Sequence, residues 1–173
     1  MFDSREMAQD IKWVHIESLL SNDAKFGAVS LVTREDQAFV PAKELAYSLP
    51  LTDWIFTADG TAEFKGTKPQ VTGKYDVKNL NRGKKYEVYI WVTMNNHVVE
   101  NVVNLKLELP DKDCQIRNAT MTIYPNRWMA VLIGEFKNNF DNGDITFTFT
   151  GKQGADSWTG LLIKGVIIAK SNT

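Results

Sequence analysis

A chain of 173 residues is long enough for one compact domain with a short appendage, or at most two very small domains, and can bury a real core. Its 20 Lys and Arg stand against 21 Asp and Glu for a formal net charge of -1, without the cationic excess that a phosphate backbone rewards, so a dedicated nucleic-acid binder is disfavoured. A hydrophobic share of 43% with 24% charged residues belongs to folded chains, and apolar runs of at most about six residues fall far short of the roughly 20 that span a bilayer.

The opening Met1-Phe-Asp-Ser-Arg-Glu is acidic and shows no basic leader before an apolar stretch, which argues against a secretory signal and for the cytosol or nucleus. Cys114 is the only cysteine, so no internal disulfide is expected, in keeping with a reducing compartment. The sequon Asn118-Ala119-Thr120 would carry a glycan only in a secreted protein and is read as an accident of composition.

Residues 1–37 form an N-terminal extension that differs in texture from the domain at 38–173. The extension holds four basic and seven acidic residues, a balance of -3, which leaves +2 on the remainder. Asp3 with Glu6 three positions on resembles a capping box, and Trp13, Ile16 and Leu20 then recur at helical spacing, predicting one amphipathic helix over about 4–20 that ends at Ser21-Asn22-Asp23. Phe26 to Val32 is a β-rich run suited to an edge strand or to packing on the main domain.

From residue 38 the period changes to two. Residues 86–94, 103–109 and 144–150 alternate apolar and polar side chains, as strands with one buried face require. Turn chemistry separates the strands at Asn79 to Gly83, Asn95-Asn96-His97, Pro110 to Asp113, Pro125-Asn126 and Asn142-Gly143. Strands at this spacing with no helix between them predict an all-β chain: an antiparallel β-sandwich, jelly-roll-like, with a short N-terminal helical extension.

Catalytic and metal motifs are missing. No phosphate-cradling loop, dinucleotide fingerprint, nucleophile elbow or zinc-protease helix occurs, and His15, His97 and Cys114 do not make a ligand cluster, so neither catalytic residues, metal nor cofactor are expected. What the chain does have is five Trp and five Tyr. Such rings stack on pyranose faces while neighbouring carboxylates, amides or backbone groups take the hydroxyls, although most rings in a sandwich are core. Trp91, inside an alternating strand, and Trp128, ahead of one that Gly134 to Phe136 ends, are read as core. Trp13 is read as the anchor of the helix. Tyr47 and Trp54 lie in the turn-rich stretch 44–54, where rings are freer to face solvent. Trp158, after a loop at 151–156, either covers the end of the sandwich or lines a pocket.

Several blocks carry a resemblance in order: Pro41-Ala-Lys-Glu-Leu; Gly73-Lys-Tyr-Asp-Val with Leu80, Gly83 and Tyr86-Glu-Val-Tyr; Trp128-Met-Ala-Val-Leu-Ile-Gly-Glu-Phe; Gly143-Asp-Ile; and Trp158-Thr-Gly-Leu-Leu-Ile-Lys-Gly-Val-Ile-Ile. Together they span about three quarters of the chain, and residues 40–173 resemble the phloem protein 2 type lectins of plants, the Nictaba-related group that includes the cucurbit phloem lectins. The resemblance implies a non-catalytic β-sandwich lectin that binds N-acetylglucosamine oligomers, as in chitooligosaccharides and N-glycan cores of glycoproteins. It also implies a homodimer in the cytosol, nucleus or phloem sap; that no membrane partner is expected follows from the short apolar runs. The family's two binding Trp, seven apart, fall on Tyr47 and Trp54, and a family carboxylate falls on Asp144. A second family carboxylate falls near Gly151-Lys152, where neither residue can replace it as an acceptor and only Asp156 could compensate. The expected carbohydrate site is a shallow groove of Tyr47, Trp54, Asp144 and Trp158. The alternative is a protein-interaction or structural module of the same fold that has lost sugar binding.

Overall fold

The computed structural model describes residues 37–152 and 157–171. The expected helix over 4–20, the run Phe26 to Val32 and Asp156 lie outside the described residues. Eleven strands follow in chain order: β1 (Gln37–Pro41), β2 (Ala46–Tyr47), β3 (Trp54–Phe56), β4 (Ala62–Phe64), β5 (Gln70–Asp76), β6 (Lys85–Met94), β7 (Val99–Glu108), β8 (Cys114–Ile123), β9 (Met129–Lys137), β10 (Asp144–Gly151) and β11 (Leu161–Lys170). They form two antiparallel sheets, the sandwich that the alternating pattern predicts. Sheet 1 runs β3-β4-β11-β6-β9, with β1 also paired to β11; sheet 2 runs β2-β5-β10-β7-β8. No helix among the described residues is long and apolar enough to cross a membrane.

Sheet 2 follows the simple rule of one buried face. Ile145, Phe147 and Phe149 of β10 join Val103, Leu105 and Leu107 of β7 in the interior, while Thr146, Thr148 and Thr150 point the other way, partly exposed. Sheet 1 departs from that rule. In β6, Tyr86, Val88, Ile90, Val92 and Met94 enter the space between the sheets, and Tyr89 and Trp91 are buried on the opposite side with Ala130, Leu132, Ile167 and Ala169.

Two bulges make this double burial geometrically consistent. In β11 the pairing with β6 shifts between Ile163 and Gly165, so the inward set changes from Leu161 and Ile163 to Val166 and Ile168. In β9 the shift opposite Val88 and Tyr89 changes the inward set from Val131 and Ile133 to Phe136. One extra residue flips the parity of everything beyond it. Gly134 and Phe136 therefore continue β9, correcting the expectation that they end it. A Cβ on Gly134 would sit 2.7 Å from Gln115 Oε1 and 3.0 Å from Leu107 Cβ, so only glycine lets the two sheets approach there.

The sandwich is closed along both long edges. On one, Gln115 and Arg117 of β8 reach the β9 backbone: Arg117 donates to Leu132 O, and Glu135 N donates to Gln115 Oε1 at 3.1 Å. On the other, residues 47–54 cross from β2 in sheet 2 to β3 in sheet 1.

Phe147→Ala empties a ring site at the centre of the interior and is expected to cost about 3–5 kcal/mol. Thr146→Ala, on the outer side of the same strand, is expected to cost less than about 1 kcal/mol. Urea denaturation of the two variants measures the contrast.

Candidate functional site

Tyr47 and Trp54 sit at the two ends of the edge crossing, and the fold brings their rings together at a centroid distance of 4.5 Å. Trp54 belongs to the interior: it is 7% exposed, its ring lies 4.6 Å from that of Phe64, and its Nε1 donates to Ser48 O at 3.2 Å. Pairing of Trp54 with Phe64 and of Ile55 with Glu63 fixes this orientation, because alternation then turns Ile55 outward. Tyr47 is partly buried, its hydroxyl donates to Ala42 O, and burial holds the phenol well above the ordinary tyrosine range. The rings are adjacent, as the resemblance implies, but the indole faces inward rather than toward solvent. The indole is a floor that sets the position of Tyr47.

Phe56 supplies what Trp54 does not. Its ring meets Tyr47 edge-on at 5.7 Å while the side chain stays 47% exposed. Of the seven large hydrophobic side chains exposed among the described residues, four (Leu49, Leu51, Ile55 and Phe56) lie in this one stretch. Sequence reasoning stopped at Trp54. Alternation gave no signal for Phe56, because two positions beyond a buried Trp54 it predicts an inward ring; the exposure of Phe56 comes from its place at the end of a three-residue edge strand.

Trp158 settles into the first of the two roles left open for it. It is 1% exposed, meets Phe149 edge-on at 6.2 Å, and donates from Nε1 to Lys152 O at 2.7 Å, closing the end of the interior. Gly151 lies against this indole: a Cβ there would be 2.7 Å from Trp158 Cε2 and 2.8 Å from Pro69 Cγ. No side chain, acidic or otherwise, fits at that position while the indole occupies it. His97, expected at the surface, ties the β6–β7 turn to the same end, with Nε2 2.8 Å from Ser157 O.

Strand register separates Asp144 from this cluster. Asp144 pairs with Asp76 at one end of β5, whereas Tyr47 pairs with Val71, five positions away, on the order of 16 Å at about 3.3 Å per residue. Trp158 and Phe149 lie at the Tyr47 end of β10. The single groove expected from all four residues is therefore corrected: Tyr47, Trp54 and Trp158 share one end of the sandwich, and Asp144, exposed, stands at the other. No group of three or more His, Cys, Asp or Glu able to hold a metal ion occurs among the described residues.

Gly151→Ala drives a methyl into the Trp158 ring and is expected to destabilise the chain by about 1–3 kcal/mol. Thermal unfolding followed by circular dichroism checks it, with a melting temperature equal to that of the parent chain as the contrary result.

The fold is shared widely. A mannanase of Podospora anserina described as GH26-CBM35 superposes with a TM-score of 0.52 at 12% identity, over 81% of this chain and 29% of that one. The larvicidal Cry4Aa toxin of Bacillus thuringiensis gives 0.50 at 13% identity, over 79% and 24%. At these identities the likeness concerns architecture alone. In sequence, the chain is 35% identical over 105 residues to "Protein PHLOEM PROTEIN 2-LIKE A1" of Arabidopsis thaliana. That match takes in 57% of this chain and only 42% of the relative. The family described as Phloem protein 2 matches residues 67–170, from the entry to β5 to the end of β11. The chain belongs to the Phloem protein 2 family.

Proposed function

We propose that this chain is a non-catalytic lectin that binds carbohydrate, with N-acetylglucosamine oligomers as its ligands, at the end of the sandwich built around Tyr47. Family membership supports the lectin reading. The observation that carries the site is the aromatic step at the sheet edge: Tyr47 rests on the buried Trp54 and stands beside a half-exposed Phe56. A pyranose lays its apolar face on such a step and directs its hydroxyls to polar groups around it. Trp54 and Trp158 act from beneath, as the rigid base of the crossing segment and of the sandwich end. Asp144 reaches only a ligand long enough to extend along β5, or one held between two subunits. Stacking with a few hydrogen bonds gives modest affinity at one site, and a homodimer that pairs two sites raises it on glycoproteins and chitin chains.

The rival reading is a protein-interaction module of the same fold. One observation favours it: Leu49 and Leu51, 82% and 62% exposed, stand out from the same crossing segment, and both indoles beneath are turned inward.

Calorimetric titration with chitotriose separates the two. Saturable heat is expected for the 173-residue chain, together with retention on chitin beads. Absence of heat up to millimolar ligand overturns the carbohydrate reading and leaves the rival. Phe56→Ala, which alters an exposed ring and leaves the interior intact, is expected to weaken binding at least tenfold, about 1.4 kcal/mol. Asp144→Asn should leave binding of chitotriose within about twofold of the parent chain, a difference of roughly 0.4 kcal/mol.

A further inference from the structure

The outer side of sheet 1 is the least accountable surface of the fold. It is made of Tyr89, Trp91, Ala130, Leu132, Ile167 and Ala169, with Phe39 and Trp128 packed against them. An antiparallel sheet with solvent on one side alternates polar residues there, as β10 does with its threonines. Here the side chains are aromatic and aliphatic on three adjacent strands, and their shielding is nearly complete, with Tyr89 and Ile167 at 0% exposure and Trp91 at 1%. Every described strand belongs to one of the two sheets, so no strand among the described residues forms a third layer over this side.

We propose that the N-terminal extension, residues 1–36, docks on this outer side as that third layer, with the stripe Trp13, Ile16 and Leu20 of its predicted helix set against Trp91, Leu132 and Ile167. Three features point to this occupant. The first is delivery. β1 pairs with the C-terminal half of β11, where Phe39 stands opposite Ile167 and is itself part of the apolar cluster. The chain that precedes Gln37 therefore arrives at the border of the patch.

The second is reach. A helix over 4–20 is about 25 Å long, and β6, with 10 residues, spans roughly 33 Å, so the helix fits along the strands it would cover. Residues 21–36 can bridge up to about 50 Å, enough to return from either end of the patch to Gln37. The third is charge. The extension carries -3 and the remainder +2. At the rim of the patch Lys164 lies 5.1 Å over the Trp128 ring and 3.3 Å from Asp59 Oδ2, so the charge argument rests on the net balance and not on this one cation.

The test uses the full chain. With Cys114→Ser and Gln9→Cys, a nitroxide on residue 9 is expected to broaden the amide resonances of Leu132 and Ile167 and to spare Thr146 and Thr148 on the outer side of sheet 2. Broadening that is absent, or that falls on sheet 2, overturns the proposal. Adding Trp13→Asp should abolish the broadening at Leu132 and Ile167, accelerate hydrogen exchange in β6 and β11, and lower the melting temperature by several degrees. If that variant proves too unstable to purify, the nitroxide pattern of the single-label chain decides alone.

Discussion

The pairing of β6 with β11 is the constraint on which the rest of the structure depends. Nine residues of β11 stand opposite nine of the ten residues of β6, and β6 and the second half of β11 are buried on both faces. The other strands of sheet 1 build on these two: β9 pairs with β6, β1 and β4 pair with different halves of one edge of β11, and β3 adds to β4. The bulge at Ile163 and Gly165 falls between the β4 half and the β1 half. A Cβ on Gly165 would lie 2.4 Å from Val40 O and 2.6 Å from Phe39 Cζ, so the bulge and the absence of a side chain together let β1 close on the strand. The parity change that turns Val166 and Ile168 inward also turns Ile167 and Ala169 outward into the second apolar cluster.

That arrangement explains why the aromatic richness of the sequence divides as it does. Ten of the described aromatic residues divide among three places. Trp54, Trp158, Phe147 and Phe149 fill the space between the sheets; Tyr89, Trp91, Trp128 and Phe39 furnish the outer side of sheet 1; Tyr47 and Phe56 form the exposed step at the edge. Of these groups, the last holds the most exposed ring, that of Phe56. The count of rings in a chain says that stacking chemistry is available, and the sheet to which each ring belongs decides whether it is used on a partner or on the protein itself.

Two strands of sheet 2, β10 and β7, were legible in the sequence because one face of that sheet is wet and they alternate cleanly for that reason. β6 was found as well, since its period of two survives at its ends, but its burial on both faces was not, because a continuous apolar run carries no parity to read. β8 escaped notice. It is an edge strand with Gln115, Ile116 and Arg117 in succession, exposed over its first half, and its place is set by hydrogen bonds to β9 that no local pattern encodes. Around the site, the proximity of Tyr47 and Trp54 followed from the motif the chain resembles. Their unequal exposure did not, because it arises from the crossing between sheets and from the register of β3 on β4. The separation of Asp144 from them is likewise a property of register: Asp144 and Tyr47 meet β5 at opposite ends and are held apart by the length of that strand.

Gly151 and Trp158 bear on what a sugar site in this chain can be. The second carboxylate implied by the family resemblance falls near Gly151-Lys152, and there Gly151 is pressed against an indole whose nitrogen is already bonded to the Lys152 carbonyl. An acid at position 151 would displace Trp158, uncover Phe149 and open the end of the interior, so the glycine and the burial of the indole are one structural fact. A ligand bound at this end must then find its hydroxyl partners elsewhere, among backbone groups and the polar residues of the crossing segment, with Tyr47 offering a ring face but a hydroxyl already committed to Ala42. Such a site discriminates more by ring stacking than by the pattern of hydroxyls, because stacking contacts tolerate different sugars and directional acceptors do not. In the proposed lectin reading, selectivity at this end therefore rests on the rings of Tyr47 and Phe56 and on the polar groups of the crossing segment, because the packing of Trp158 excludes an acid at position 151.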